Sequence, residues 1–202
     1  MNFNSPIIIP FGDDADSSDA EIDSYWNGKP AIRCRHFSAS FAWNDETLIV
    51  RFQATVDEPL VISARPVRDE KTVGLWERDV CEIFIAPDRS EPRKYFEFEI
   101  APTGEWLDLA IDSTSGERVT VWEYASGMEA TARIEGNRVV MAMKIPWEAF
   151  GQKPKVGDVW LGNIFRCVGK EPDRGYLAWR PTMTETPNFH MPDAFGELVF
   201  TK

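Results

Sequence analysis

The sequence predicts an all-β fold, a jelly-roll-like sandwich of two antiparallel sheets with one or two short helical turns. Three observations lead there. Apolar residues recur with a period of two in most windows, the spacing of one face of a strand. Segments of this kind follow one another at short intervals, punctuated by Gly, Pro, Asn and Asp, with no long helix between them. No window of about 12 residues carries a helical apolar stripe.

The elements follow in order. In 46–56, Leu48, Val50, Phe52, Ala54 and Val56 alternate with Thr47, Arg51, Gln53 and Thr55, and only Ile49 departs from the pattern. Phe41 and Trp43 alternate just upstream, and Asn44-Asp45 supplies a turn, so the two segments form a hairpin. A second hairpin joins 128–134 to 138–145 through Glu135-Gly136-Asn137, with Val139, Met141 and Met143 as its apolar stripe. Further strands are predicted at 80–86, 95–101, 105–111, 119–124, 159–168, 176–179 and 197–200. Pro146 and Gly151 bracket one helical turn, and 18–26 holds a second short helical piece.

Composition bounds the function. One domain over residues 1–202 is expected. With 22 Lys and Arg against 33 Asp and Glu the net charge is −11, and no basic cluster exists to neutralise phosphates, which excludes a nucleic-acid binder. Apolar runs such as Ile7 to Ile9 fall far short of the ~20 residues a membrane-spanning helix needs, so no membrane insertion is expected. Cys34, Cys81 and Cys167 are odd in number and show no metal-site spacing, which points to free thiols. Residues 1–11 lack the basic and apolar regions of a secretory signal; the expectation is cytoplasmic if Met1 is the native start, and secreted or periplasmic otherwise.

No nucleophile elbow, phosphate-binding glycine loop or zinc-binding histidine pair is present. His36 and His190 are expected to cap backbone carbonyls. Eight tryptophans are more informative. Trp43, Trp106, Trp122 and Trp160 lie within strand patterns and are expected in the core, whereas Trp76 and Trp179 flank loops, where a sandwich holds its ligands. A sugar ring offers an apolar C–H face to an indole and hydroxyls to carboxylates. If 80–86 and 95–101 are neighbouring antiparallel strands without a bulge, Glu82 stands opposite Glu99, and two like charges so placed need a cation, a shared proton or a ligand's hydroxyls between them.

One block is more specific. Trp76-x-x-Asp79-x-x-Glu82-Ile83-Phe84-Ile85, then Tyr95-Phe96-x-Phe98-x-Ile100-x-Pro102-x-Gly104 and Asp108, resembles the centre of family 9 carbohydrate-binding modules and their DOMON-like relatives. Ile145-Pro146-Trp147-x-x-Phe150-Gly151, Asn163-x-Phe165-Arg166, Trp179-x-Pro181 and Asn188-Phe189-His190-x-Pro192-x-x-Phe195-Gly196-x-Leu198-x-Phe200 resemble the closing blocks, over roughly 20–200. The resemblance implies non-catalytic binding of the ends of plant-type glucans or xylans, a glycoside hydrolase acting on the same polysaccharide as partner, and structural calcium in some members. It also implies that Trp76 and Trp179 grip a sugar ring while Glu82 hydrogen-bonds it. Members that bind glucose or cellobiose carry an arginine and an asparagine where this chain has Glu99 and Ala101, and Arg166 is the expected replacement guanidinium. For calcium, Asp13, Asp14, Asp16 and Asp19 are hard donors, but they lack the glycine and distal glutamate of a helix-loop-helix site, so a solvated acidic loop is expected. The rival functions are glycoside hydrolysis by Glu82 and Glu99, and an interaction or haem-binding relative of the same sandwich.

Overall fold

The computed structural model describes residues 5–15 and 20–202. Thirteen strands appear in chain order among them: β1 (Ile7–Ile9), β2 (Ala20–Ile22), β3 (Phe37–Trp43), β4 (Thr47–Thr55), β5 (Val80–Ala86), β6 (Lys94–Ile100), β7 (Trp106–Asp112), β8 (Val119–Val121), β9 (Glu129–Glu135), β10 (Arg138–Pro146), β11 (Val159–Val168), β12 (Gly175–Ala178) and β13 (Gly196–Phe200). The larger sheet runs β1-β13-β11-β5-β6-β7-β8, with β12 also pairing β11; the smaller runs β2-β3-β4-β10-β9. Both expected hairpins form, β3 with β4 and β9 with β10.

The inner faces of the two sheets build one core. Leu48, Val50 and Phe52 of β4 and Val139, Met141 and Met143 of β10 meet Cys81, Ile83 and Ile85 of β5 and Phe98 and Ile100 of β6. Ile49, the residue that breaks the alternation, packs on the opposite face with Ala42 under Ala15. Ser40 Oγ holds that cover in place by donating to the Ala15 carbonyl at 2.7 Å. The turn at Trp147–Phe150 begins after Pro146 and closes at Gly151, whose φ of 66° suits glycine.

Two expectations change. The short helical piece at 18–26 is instead β2, an edge strand paired with β3, and Ser18 and Asp19 lie outside the described residues. β1 was legible only as an apolar run; it pairs with β13 in parallel, so the sandwich is not wholly antiparallel.

The larger sheet is buried on both sides, and this creates the site. Every residue of β5 is buried. Its outward residues Val80, Phe84 and Ala86 join Tyr95, Leu107, Leu109 and Phe165 in a second apolar cluster beneath the loops that follow β4, β7 and β12.

Candidate functional site

β5 and β6 pair with Glu82 opposite Glu99, the register expected without a bulge. Strand alternation then puts Glu97 on the same outward face, two residues from Glu99. Phe165 lies opposite Glu82 on β11, and Leu109 opposite Glu97 on β7. The three glutamates are buried among these apolar neighbours, and oxygens from all three lie within 4.8 Å of one another.

A cavity of about 640 Å³ opens above them, with Glu82 and Glu97 on its floor. One rim carries Trp76 and Trp122, 37% and 45% exposed, with ring centroids 6.5 Å apart and planes at 44°. Tyr176 and Phe189 also line the cavity. Phe189 is anchored by stacking on Phe165 at 4.1 Å.

The loop before β5 is pinned from several directions. Gly74, at φ 84°, starts the 3-10 turn Leu75–Glu77; this turn buries Leu75 and turns Trp76 out. Arg174 holds it, donating from Nη2 to the carbonyls of Trp76 and Arg78 at 2.8 and 2.6 Å, and from Nη1 to that of Gly169 at 2.8 Å. Buried Asp79 accepts from the amides of Gly169 and Val61 at 2.8 and 3.2 Å. The Trp76-x-x-Asp79-x-x-Glu82 spacing thus joins a rim aromatic, a loop anchor and a floor acid within seven residues.

The acids sit in an environment that disfavours charge. Burial, reinforced by Glu97, raises the pKa of Glu82 well above the carboxylate range; burial with Glu82 and Glu97 does the same to Glu99. Burial pushes Glu97 up to about 7. Both oxygens of Glu99 and Oε2 of Glu97 have no donor pointed at them, and a proton shared between the two carboxyls can hydrogen-bond the pair. His190 does not neutralise them. Its Nε2 lies 3.9 Å from Glu97 Oε2, but burial and the charge of Arg118 bring the ring down to about 3, so it is neutral. Its Nδ1 hydrogen-bonds the Tyr95 hydroxyl at 2.9 Å.

Of the residues expected in the site, Trp76, Glu82 and Glu99 come together here. Trp179 does not. On β12, Tyr176 and Ala178 face outward and Leu177 faces the core, so Trp179 falls on the inner side, packing against that core and lying 4.2 Å beneath the Arg180 guanidinium. Arg166 is displaced by the same parity. Phe165 and Cys167 face the cavity side, whereas Arg166 stands opposite Cys81 on the core side and donates to the carbonyls of Arg35 and His36. Trp122, expected in the core, lies one residue past the end of β8 and is therefore free to join the rim. His36 does cap a carbonyl, that of Ala31 at 3.0 Å, while His190 lines the cavity instead. Glu97 was missed although its two-residue spacing from Glu99 is visible; Tyr176 on β12 and Phe189 and Arg174 in loops are distant in the chain from β5 and carried no local signal.

Asp13, of the acidic stretch, accepts from Asn44 Nδ2 at 2.8 Å; Asp16 and Asp19 lie outside the described residues. Among the described residues, the one group of three or more His, Cys, Asp or Glu close enough to share an ion is Glu82, Glu97 and Glu99.

A two-sheet sandwich carrying an aromatic rim over a carboxyl floor defines a class of small-ligand binding module. The chain belongs to carbohydrate-binding family 9, whose model matches residues 20–200, and this is a family of non-catalytic modules. No curated protein is significantly similar to it in sequence. Among solved structures, a candidate carbohydrate-binding protein of Bacteroides uniformis ATCC 8492 is similar at 20% identity and TM-score 0.71, over 97% of this chain and 100% of that one. A family 9 module of Caldicellulosiruptor kristjanssonii in complex with glucose is similar at 14% identity and TM-score 0.67, over 98% and 96%. Its complex with cellotriose gives 15% and 0.65, over 98% and 94%. At these identities the structural likeness speaks for the fold.

Proposed function

We propose that the cavity above β5 and β6 binds the end of a plant-type glucan or xylan chain without cleaving it. The observation that carries this reading is the Trp76 and Trp122 rim standing over Glu82 and Glu97. Indole faces take the apolar side of a pyranose, and the two carboxyls take its hydroxyls. The volume suits a ligand of a few rings at most. Family membership and the glucose and cellotriose complexes of the Caldicellulosiruptor kristjanssonii module support the same class of ligand. Glu99 acts from below, holding Glu97 through a shared proton. Its full burial weighs against the hydrolytic alternative, because a glycosidase needs both carboxyls in contact with the scissile bond.

Titration with cello- and xylo-oligosaccharides, followed by tryptophan fluorescence and calorimetry, tests this. A saturable response, weakened at least tenfold by Trp76→Ala, is expected. No response to any oligosaccharide in the panel, or the same affinity in Trp76→Ala, overturns the proposal.

A further inference from the structure

We propose that Glu82, Glu97 and Glu99 hold a hard divalent cation of the calcium class on the floor of the cavity. The acids are contributed by two adjacent strands in fixed register, so their convergence is built into the sheet rather than into a flexible loop. Their oxygens lie within 4.8 Å of one another. One calcium ion, with ligands at about 2.4 Å, can bridge oxygens no farther apart than this.

A second observation points to a missing positive partner. Glu99 is fully buried, and neither of its oxygens, nor Glu97 Oε2, meets a donor. Among the described residues, no cation bonds these oxygens. Arg166 points to the other face of the sheet, Arg174 gives three hydrogen bonds to backbone carbonyls, neutral His190 remains 3.9 Å away, and Arg174 and Arg118, both on the cavity wall, reach Glu82 and Glu97 only through their charge. Buried charged groups are ordinarily paired or bound to metal, and three carboxyls sharing one apolar floor are far from that condition.

An all-oxygen donor set selects calcium, magnesium or manganese over softer metals. The sheet supplies at most six carboxylate oxygens and leaves one side of the ion toward the cavity, which suits the flexible, high coordination number of calcium better than the strict octahedron of magnesium. Metal-free protein holds protons in its place, and binding the ion releases them.

Chelator-treated protein, with no saccharide present, is titrated with Ca²⁺ by calorimetry, and with Tb³⁺ while indole-sensitised emission is recorded. One site per chain is expected in both. Glu99→Gln and Glu97→Gln each lower the affinity at least tenfold while retaining the wild-type circular dichroism, since each removes a repulsive buried acid; if one of them does not fold, the other decides. An Asp13→Asn, Asp14→Asn double variant keeps the site intact. Absence of both heat and emission overturns the proposal, as does unchanged binding in the floor variants, or loss of binding in the Asp13, Asp14 variant. Because no sugar is involved, these results stand whichever way the oligosaccharide titrations fall.

Discussion

Raising the pH of the metal-free protein should weaken its fold, and Glu97 sets the size of the effect. Its pKa rises from an ordinary 4.5 to about 7 because it is buried. A carboxyl with a raised folded pKa is held more tightly protonated in the native state than in the unfolded chain. Its contribution is therefore intact below about pH 4.5 and is lost as the pH climbs through about 7. Two and a half units at about 1.4 kcal/mol each amount to about 3.5 kcal/mol. For a domain of this size that is roughly 7–14 °C in Tm. Glu82 and Glu99, also raised, extend the decline to higher pH. The assay is thermal unfolding by circular dichroism from pH 4.5 to 8.5 in EDTA, comparing wild type with Glu97→Gln. The wild type should lose stability relative to the variant as the pH rises; His190, neutral in the fold but protonated in the unfolded chain below about pH 6.5, adds the same opposite slope to both proteins and cancels in the comparison. Parallel pH profiles for the two proteins would refute the placement of Glu97 in a buried floor where no cation bonds it.

Other outcomes follow from the same geometry. Trp179→Ala should cost about 2 kcal/mol by urea denaturation, roughly half the value for a fully buried tryptophan, and leave oligosaccharide affinity unchanged, because the ring packs on the core side beneath Arg180. Arg174→Ala frees the carbonyls of Trp76 and Arg78 and should weaken oligosaccharide binding several-fold in calorimetry, with faster amide exchange in residues 74–79. Gly162→Ala places a methyl group 2.5 Å from the Phe84 carbonyl and 2.8 Å from Leu198 Cδ1, and should lower stability by about 2 kcal/mol or more in the same denaturation assay.

Strand periodicity carried most of the fold because each strand of a sandwich reports its own buried face. β5 and β11 were bounded in full by their apolar runs, and the Glu82 to Glu99 pairing followed from the length of one short connection. β2 was misread since three residues are too few to show a period, and β1 since its partner β13 lies at the other end of the chain. The site was half legible. Trp76 and Glu82 belong to one local motif, but the second aromatic was assigned to Trp179 when parity on β12 turns Tyr176, not Trp179, to the outer face. Side-chain parity also misplaced Arg166. Nothing local could reveal that Trp122, Phe189 and Arg174 converge on one cavity, because loops well apart in the chain bring them there.

The account is tested most directly by the indole N–H resonances of ¹⁵N-labelled protein titrated with cellotriose. Eight tryptophans give eight signals. Those of Trp76 and Trp122 should move with saturation while Trp43, Trp160 and Trp179 hold still; shifts centred on Trp179, or none at Trp76 and Trp122 at saturating ligand, would contradict the placement of the binding site.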